Sequence, residues 1–549
     1  MAATVANSLV LVSTGLADTR LQPPVGRPQI EQFVHVVHKT TRWAAQWNRI
    51  EFDGVPEFGQ RVTLTIPRIG ELVSGFTLAV TMPDIYAIQL AAIQAAGGTS
   101  LSDRGTFLGP LYGWTNSLGH ALIQLVELEI GGSIVEVLDG RLLEILDELY
   151  ETVESAQAKN AMIARIPNGY TSTSLLTPTP TTVYIPIPFW FARPGVYSHA
   201  LPIDALSADK VRVHVTFRPV SQLYFTEARA NPSLPPSLNK PAAASGGGGG
   251  SGGGGGLPCV ETVSAMAALL GAQFLQRNAA GSPVSQVTAA QGATAVNASV
   301  IPGLSMPSRL SITDAYALIE YISLDLKEAL GFRDADLTYQ VEQHQAVTPQ
   351  ATLGLQQLRV EVPYANPVKE LLWVFQRPEA EAYNAWFLFT QDLGPLLNPQ
   401  VDVQPTTLPW WPDAVLNPTA PLRWQVRPAF QRSNSEPLES ATLTYSAQDR
   451  FVHDGGSFFR GVIPALYYSK AAIHNRYIYA YSFGKKMARG TYGPSGAANW
   501  DKIRYKELYF NLKRNRTGVA TPSLNTYVYV TNWNIFKVFA GRGGMLFTS

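Results

Sequence analysis

The sequence predicts an all-β protein built from two tandem eight-stranded antiparallel jelly rolls, with short helices in the loops. Short runs in which apolar and polar residues alternate recur in both halves of the chain, whereas helical periodicity is confined to brief stretches. The two strand-rich halves follow a similar order of elements, and a glycine-rich segment lies between them. Many short strands with few helices are typical of sandwiches and jelly rolls.

Length and composition limit the class of protein. A chain of 549 residues, 46% of them hydrophobic, is long enough for about two to four globular domains. The 42 basic and 41 acidic residues nearly balance, so no overall charge attracts nucleic acid or an anionic membrane. Cys259 is the only cysteine, which excludes an internal disulfide framework and a cysteine-built metal site. The N-terminus lacks a basic leader and no apolar run is long enough for a membrane span, so we expect a soluble protein made in the cytosol.

Composition also divides the chain. Residues 1–30 are proline-rich and lack periodicity, so they are predicted to form an N-terminal arm that orders against a partner. Residues 31–225 are predicted to form the first jelly roll and residues 311–549 the second. Between them, 226–310 form a Gly/Ala/Pro-rich inter-domain excursion that includes ten glycines within Ser245–Gly256. Such a run loses too much backbone entropy on ordering to pack well, which favours a flexible tether.

The clearest local pattern lies in residues 119–150. Apolar and acidic residues alternate over 126–130, as expected for a strand with one buried face. Gly131 and Gly132 can adopt the positive φ that a tight reversal needs, and a return strand follows. Asp139 then precedes a helix whose apolar residues recur at helical spacing, so it is predicted to be the N-cap. The unit is a hairpin that leads into one short helix.

Other segments extend the strand prediction through both halves. In the first half, strands are predicted at 62–66, 76–82 and 211–217, the last with one solvent-facing side, and 84–98 is predicted to be helical. The proline-studded segment Tyr184–Phe191 fits only an edge strand or an extended loop. In the second half, strands are predicted at 317–326, which begins it, at 369–376, which is apolar on both faces, and at 441–445, 477–483 and 526–539.

A search for catalytic and ligand-binding motifs finds none with the required context. Gly249–Gly253 formally matches G-x-S-x-G, but it lies in a glycine run with no preceding strand, so a nucleophile elbow is excluded. The only close histidine pair, His35 and His38, has no acidic or cysteine partner at ligand spacing. His120 and His214 lie within strand patterns and are predicted to be structural histidines. The sequence therefore predicts no catalytic, cofactor-binding or metal-binding residue, and a protein that is not an enzyme.

One local excess of positive charge could contact acidic partners. Between Lys485 and Arg516 nine basic residues face only two acidic ones, with aromatic residues interspersed. Nucleic-acid contact uses such a mixture, but solvated loops between strands explain it more simply. We expect no specific nucleic acid partner. The sequons at Asn297 and Asn515 are expected by chance and would meet no glycosylation machinery in the cytosol.

Several short motifs occur along the chain in both halves. They are Ile66–Leu72, Gly119–Ile123, Glu129–Gly132, Leu143–Leu149, Tyr184–Phe191, Ala200–Leu206, Pro367–Trp373, Tyr481–Phe483, Pro494–Gly496 with Asn499, and Asn532–Asn534 with Gly541. Together these segments resemble the major capsid proteins of nucleocytoplasmic large DNA viruses. They occur in the family's order over most of residues 60–545, with departures in the excursion at 226–310 and around the Pro494 turn.

The resemblance implies a double jelly roll and a structural function. Its members form trimeric, pseudo-hexagonal capsomers of an icosahedral shell, which implies a homotrimer, contacts with neighbouring capsomers, and minor capsid and penton proteins as partners. It places the chain in the virion, after synthesis in the host cytoplasm, without a cofactor. Residues 1–30 are expected to bind minor capsid proteins or inner membrane proteins. Three alternatives stay open: a carbohydrate-binding jelly roll used for attachment, a sandwich hydrolase with carboxylates clustered in a cleft, and a scaffold that shapes membranes during assembly.

Overall fold

The computed structural model describes most of both predicted halves. The described residues are 30–31, 34–35, 42–84, 94, 112–165, 182–192, 197–226, 286–287, 296–297, 310–382, 384–391, 436–446, 448–472, 476–485, 487, 495–513 and 523–547. The predicted helix at 84–98, Cys259, Gly249–Gly253, most of the excursion and the Asn515 sequon lie almost entirely outside these ranges. Met1–Ala44 form one compact unit and Ala45–Ser549 another. In the first unit, Ile30–Glu31 pairs with Val34–His35 as antiparallel strands.

Eight strands form a sandwich of two four-stranded antiparallel sheets in the first half. One sheet has the order β1-β8-β3-β6 and the other the order β2-β7-β4-β5. The strands are β1 (Trp43–Glu51), β2 (Arg61–Thr65), β3 (Leu72–Thr81), β4 (Ile123–Ile130), β5 (Ser133–Asp139), β6 (Thr182–Pro186), β7 (Val211–Phe217) and β8 (Asp314–Leu324).

The position of strand β8 corrects the expected start of the second half. We assigned residues 317–326 to the second jelly roll, but β8 pairs with β3 of the first sandwich, with Ala317 opposite Leu78 and Ile319 opposite Phe76. The excursion at 226–310 therefore connects β7 to β8 within one sandwich instead of joining two domains. Sequence patterns could not show this, because the long interruption separates β8 from every strand with which it pairs.

The second half repeats the same arrangement. One sheet contains β9-β16-β11-β14, with three short additions, and the other β10-β15-β12-β13. The strands are β9 (Leu337–Ala346), β10 (Gln357–Glu361), β11 (Pro367–Gln376), β12 (Leu438–Tyr445), β13 (Gln448–Gly455), β14 (Ile478–Ser482), β15 (Lys506–Leu512) and β16 (Asn525–Phe539); the additions are Gln350–Ala351, Ala498–Asn499 and Arg542–Met545. Each strand from β9 to β16 occupies the same position in its sheet as the strand numbered eight lower does in the first half. The prediction of two eight-stranded jelly rolls is therefore confirmed.

Helices in the described residues are short and lie in connections between strands. They are α1 (Leu118–Leu122), α2 (Gly140–Tyr150), α3 (Val153–Met162), α4 (Leu326–Asp334), α5 (Pro378–Ala382) and, after a π-helical turn at Phe458–Val462, α6 (Ile463–Tyr467). Two further antiparallel strand pairs are Tyr112–Trp114 with Tyr224–Thr226, and Gln286–Val287 with Val296–Asn297. Among the described residues, no helix combines the length and apolar character that crossing a membrane requires.

The hairpin and helix predicted within 119–150 are confirmed from strand β4 onward. Val126, Leu128 and Ile130 are buried in the first core. Gly131 and Gly132 have φ of +60° and +88° and reverse the chain into β5. The expectation that His120 lies within a strand is wrong, because Leu118–Leu122 form helix α1 instead.

Strand β11 shows why its sequence is apolar on both faces. Leu371, Trp373 and Phe375 pack in the core of the second sandwich. Leu372 and Val374 point the other way and join the core that includes the first sandwich. Sheet β9-β16-β11-β14 is thus covered on both faces, and an apolar side chain buried on either face contributes about 1.5–3 kcal/mol. The two sandwiches share a continuous apolar contact.

The prediction that one side of β7 faces solvent is only partly correct. Arg212 is partly exposed, but His214 is buried and hydrogen-bonds to Thr63 Oγ1 at 2.9 Å and Glu129 Oε2 at 2.7 Å. Arg218, just after the strand, is buried with its guanidinium 3.7 Å from the ring centre of Trp386. Burial and the nearby Arg141 lower the pKa of Arg218 to about 10. The neighbouring sandwich covers this end of the strand.

Candidate functional site

The most elaborate arrangement of polar side chains lies at the junction between the two sandwiches, around helix α2. The helix begins at Asp139, whose side chain accepts a hydrogen bond from the backbone N–H of Leu142 at 2.7 Å, as predicted. Gly140 follows because the chain passes close to another turn: a Cβ there would lie 2.3 Å from the carbonyl oxygen of His120. These local features set where the helix starts and how closely it packs on α1.

Helix α2 is buried along its whole length. Its apolar side chains fill the first core, as the helical spacing predicted. Its polar side, with Arg141, Glu144, Asp147 and Glu148, is also buried. Buried charges are costly unless they are paired, so the surrounding structure must supply partners.

Partners for the acidic side of α2 come from three directions. Arg165 follows helix α3, Arg476 precedes β14 in the second sandwich, and His120 lies in helix α1. We name the full set the junction cluster: His120, Glu144, Asp147, Glu148, Lys159, Arg165, Lys470 and Arg476.

Glu144 is the centre of the junction cluster. One oxygen, Oε2, accepts a hydrogen bond from Arg165 at 2.5 Å and lies 2.7 Å from Nδ1 of His120. The other, Oε1, accepts hydrogen bonds from Arg476 at 2.7 Å and from Ser117 Oγ at 3.0 Å. Both lone-pair sides of a fully buried carboxylate are therefore satisfied. Because Arg476 belongs to the second sandwich, Glu144 ties the two sandwiches together.

The electrostatics of the cluster favour its charged form. Burial by itself would raise the pKa of Glu144, but Arg165, His120 and Arg476 outweigh it and hold the pKa well below its ordinary value. Burial would also raise the pKa of Asp147, but Arg165 and Lys159 outweigh this effect and lower the pKa. Burial lowers the pKa of His120 despite the adjacent Glu144. An ionised carboxylate can only accept hydrogen bonds, so Nδ1 of His120 is the donor in its contact with Glu144.

A second polar group crosses the junction at the C-terminal end of α2. Glu370 of β11 accepts hydrogen bonds at 2.5 Å from the hydroxyls of Tyr150 and Tyr468. Burial, with the negative charge of Glu370 next in size, raises the pKa of both tyrosines well above the ordinary value. Both tyrosines therefore remain protonated donors.

Arg141 fixes the other end of the helix along the same strand. It donates to the Gln376 side chain at 3.0 Å and to Glu381 at 2.6 Å, and it lies 4.0 Å from the ring centre of Tyr527. Since Arg141 meets Gln376 while Tyr150 meets Glu370, helix α2 runs antiparallel to β11 across the outer face of that sheet.

The C-terminal hairpin adds a further attachment between the sandwiches. Ala208 N–H donates to the carbonyl of Gly541 at 2.9 Å, and Gly543 N–H donates to the carboxylate of Asp209 at 2.9 Å. Trp190 packs on Phe536 with ring centres 5.3 Å apart. The junction therefore has apolar, hydrogen-bonded and ionic contacts, and the two sandwiches lie in one compact unit.

The structure does not gather the candidate residues of the sequence into one site. His120 belongs to the junction cluster and His214 to the face of β7, where both are hydrogen-bonded structural residues. His35 lies in the short pair at Val34–His35, and His38 is outside the described ranges. No group of three or more metal-binding side chains occurs in the part of the chain that the structure describes.

The basic stretch at 485–516 is only partly described, and there it is tied into the second sandwich. Lys506 is buried and donates to the carbonyl oxygen of Tyr364 at 2.7 Å, and burial lowers its pKa. Glu507 pairs with Arg359 and accepts from Tyr509 at 2.6 Å. These contacts support the structural interpretation of the described part.

Sequence reasoning missed the junction cluster. Its available signal was the acidic stripe of Glu144, Asp147 and Glu148 at helical spacing on the side of α2 opposite the leucines. That stripe would normally be assigned to solvent. Its cationic partners lie up to 332 positions away, so no local pattern indicates burial.

Comparisons with known proteins agree with this architecture. The family model described as "Major capsid protein N-terminus" matches residues 31–243, and the model described as "Large eukaryotic DNA virus major capsid protein" matches residues 332–544. The major capsid protein of Chrysochromulina ericina virus is 22% identical over 98% of this chain and 99% of its own length.

Solved structures show the same fold. A quasi-atomic model of the PBCV-1 virus capsid has a TM-score of 0.58 at 19% identity, covering 94% of this chain and 100% of that one. The Faustovirus major capsid protein has a TM-score of 0.58 at 11% identity, covering 98% of this chain and 99% of that one.

A duplicated jelly roll, joined at a buried junction, defines a double jelly-roll protein. The two family models together span most of both jelly rolls. The chain belongs to the major capsid proteins of large eukaryotic DNA viruses, and its place is the capsid of the virion.

Proposed function

We propose that three copies of this chain associate around a threefold axis into a pseudo-hexagonal capsomer, and that capsomers tile an icosahedral shell. The observation that carries this proposal is the duplication: two jelly rolls with the same strand order are joined as one body. Three such bodies around an axis present six similar lobes, so one chain supplies a near-hexagonal tile.

The ionic, hydrogen-bonded and apolar contacts of the junction support this use. A tile that makes repeated edge contacts must hold its two lobes at a constant angle, because each edge contact depends on the position of both. Contacts within the capsomer would be obligate, at roughly 2,000 Å² or more per interface, while contacts between capsomers would be smaller and more polar. The chain acts through packed surfaces and without catalysis.

The division of the chain follows the strand order. Residues 1–30 form the arm, the first jelly roll extends from 31 to strand β8 and contains the excursion at 226–310, and the second jelly roll occupies the remainder. Neighbouring capsomers, minor capsid proteins and penton proteins are the partners. The arm binds minor capsid proteins or inner membrane proteins, because it is proline-rich and lacks a core of its own.

The mass of the purified full-length chain in solution tests the capsomer. Native mass spectrometry should give three times the mass of one chain, and electron microscopy should show six-cornered particles. A monomer at high concentration would overturn the proposal. Saturable binding on a glycan array by such a monomer would support the attachment alternative, and remodelling of vesicles without shell formation would support the scaffold alternative.

Deletion of residues 1–30 tests the arm separately. The truncated chain should still form trimers, since the described strands of the two jelly rolls all begin at or after Trp43, but it should assemble shells poorly in an expression system that supplies the minor proteins. Loss of trimers on deletion would contradict the placement of the arm outside the capsomer interface.

A further inference from the structure

The first jelly roll makes a contact inside the chain through a helix. Because the two jelly rolls have the same strand order, the second jelly roll has a corresponding helix, whose counterpart of that contact is not made inside the chain. Within the chain, helix α2 follows strand β5 and lies on the outer face of sheet β9-β16-β11-β14. Helix α2 packs there on two outward-facing tyrosines of β16. Tyr529 hydrogen-bonds to Asp139, and the ring of Tyr527 stacks on Arg141. In the strand order, β5 corresponds to β13, and the receiving sheet corresponds to β1-β8-β3-β6.

The corresponding sheet of the first sandwich carries an aromatic outer surface. Tyr316 of β8 and Tyr184 of β6 lie directly across from Ala79 on the central strand β3. Trp47 of β1 covers Gly75 and is 52% exposed. We name Trp47, Tyr184 and Tyr316 the platform. Strand β8 therefore presents an outward tyrosine, as does β16, which occupies the same position in the second sandwich.

The corresponding helix of the second sandwich carries an exposed apolar ridge. The helical segment Phe458–Tyr467 follows β13 as α2 follows β5. Its inner side packs in the protein through Phe459 and Ile463. On its outer side Val462 is 40% exposed and Leu466 67% exposed, one helical turn apart, with Ala465 beside them. We name Val462, Ala465 and Leu466 the ridge.

We propose that the ridge of one copy packs on the platform of the next copy in the capsomer. This inference rests on the proposed trimer and names the surfaces that build it. The contact is heterologous, and three repeats of it around the axis close a ring in which every lobe receives the helix of its neighbour. The intrachain contact of α2 and the interchain contact of the ridge are then equivalent.

Two observations support a second copy as the occupant. First, the ridge is continuous with the junction that already joins lobes, because Tyr468, directly after the helix, packs on Tyr150 and bonds to Glu370. Second, the charges beside the platform are compatible with burial. Arg49 lies 3.8 Å from the ring centre of Tyr316 and is paired with Glu51 at 2.5 Å and Asp314 at 3.0 Å. An apolar ridge can therefore cover the platform without separating an ion from its partner, and aromatic residues are typical anchors of protein interfaces.

Substitutions on the two surfaces test the proposal in the full-length chain. Leu466→Asp should disrupt the ridge and Trp47→Ala the platform, and each should raise the dissociation constant of the trimer about 30-fold or more. The measurement is sedimentation velocity over a concentration series. The control is Leu353→Asp, because Leu353 is 80% exposed in the connection between β9 and β10, and this variant should stay trimeric. Circular dichroism confirms folding, and Ala465→Glu replaces Leu466→Asp if that variant does not fold.

A mixing experiment tests whether these two surfaces meet. The Leu466→Asp chain keeps an intact platform and the Trp47→Ala chain an intact ridge, so their mixture has one good contact and should form two-chain particles that neither forms alone. Trimers in both single variants, or no two-chain particles in the mixture, would overturn the pairing while leaving the wild-type trimer in place. A wild-type monomer would instead overturn the proposed function itself.

Discussion

Tyr529 and Asp139 are hydrogen-bonded across the junction, at 2.8 Å from Oη to Oδ2, although 390 positions separate them in the chain. The other oxygen of Asp139 accepts from the backbone N–H of Leu142 and begins helix α2. One carboxylate therefore both starts the helix and fastens it to the second sandwich. The start of α2 and the docking of the two sandwiches depend on the same side chain.

Asp139→Ala should remove both contacts. Loss of the N-cap costs about 0.5–2 kcal/mol, and the buried hydroxyl of Tyr529 left without its acceptor costs about 1–3 kcal/mol more. We expect the free energy of urea unfolding to fall by about 2–4 kcal/mol. Tyr529→Phe, which removes only the tie between the sandwiches, should cost about 1 kcal/mol. Equal stabilities of Asp139→Ala and the wild type would contradict the double role.

Glu144→Gln should be among the most damaging single changes at the junction. It keeps the shape of the side chain but leaves Arg165 and Arg476 without a full counter-charge in a buried site, for a cost of about 3–5 kcal/mol. Urea unfolding followed by tryptophan fluorescence measures the loss. Glu51→Gln is the control, since the Glu51 carboxylate is mostly exposed and should tolerate the change. A stable Glu144→Gln protein would show that the cluster does not depend on this charge.

Acidification should destabilise the protein through the junction cluster. In the unfolded chain His120 takes up a proton below about pH 6.5, and Glu144 and Asp147 do so below about pH 4–5. In the folded chain the pKa values of all three are lower, so the unfolded state binds more protons and stability falls as pH falls. The midpoint of urea unfolding should therefore decrease from about pH 7 to about pH 4.

The Glu144→Gln variant provides the control for this pH dependence. It should show a smaller decrease over the acidic part of the range, because one of the groups responsible no longer titrates. A midpoint that is constant or that rises on acidification in the wild type would contradict the assignment.

Gly140→Ala should destabilise the start of helix α2. The new methyl group would meet the carbonyl oxygens of His120 at 2.3 Å and Ile123 at 2.6 Å, and neither backbone atom can move aside freely. We expect a cost of about 1–3 kcal/mol in thermal or urea unfolding. Gly331→Ala in helix α4 is the matched control, because its Cβ would meet no atom within 4 Å and alanine favours a helix by about 1 kcal/mol. Gly140→Ala should therefore lower the free energy of unfolding, and Gly331→Ala should raise it.

Much of the fold could be predicted because its signals are local. The alternation around Leu128 specifies which face of β4 is buried, Gly131 permits the reversal, and Asp139 caps the helix, all within a few residues. The double apolar pattern of β11 also indicated a strand covered on both faces. Motifs spread through the chain were sufficient to identify the family.

Other features could not be predicted because they depend on residues far apart in the chain. Strand β8 was assigned to the wrong half, since its pairing with β3 spans more than 200 positions and the whole excursion. The polar side of α2 would be assigned to solvent by its spacing alone. His214 and Arg218 are predicted on a solvent-facing side, but His214 is buried beside Glu129 of β4 and Arg218 packs against Trp386 of the second half.

The sequence by itself determined the strands, the turn at Gly131, the cap at Asp139 and membership of the capsid family, because periodicity, turn chemistry and motif order act over short distances. Only the tertiary structure decided that β8 completes the first jelly roll and that Glu144 meets Arg165 and Arg476. Such pairings form only as the chain folds, because a charge that leaves water needs a partner, and the fold brings Arg165 from the first sandwich and Arg476 from the second.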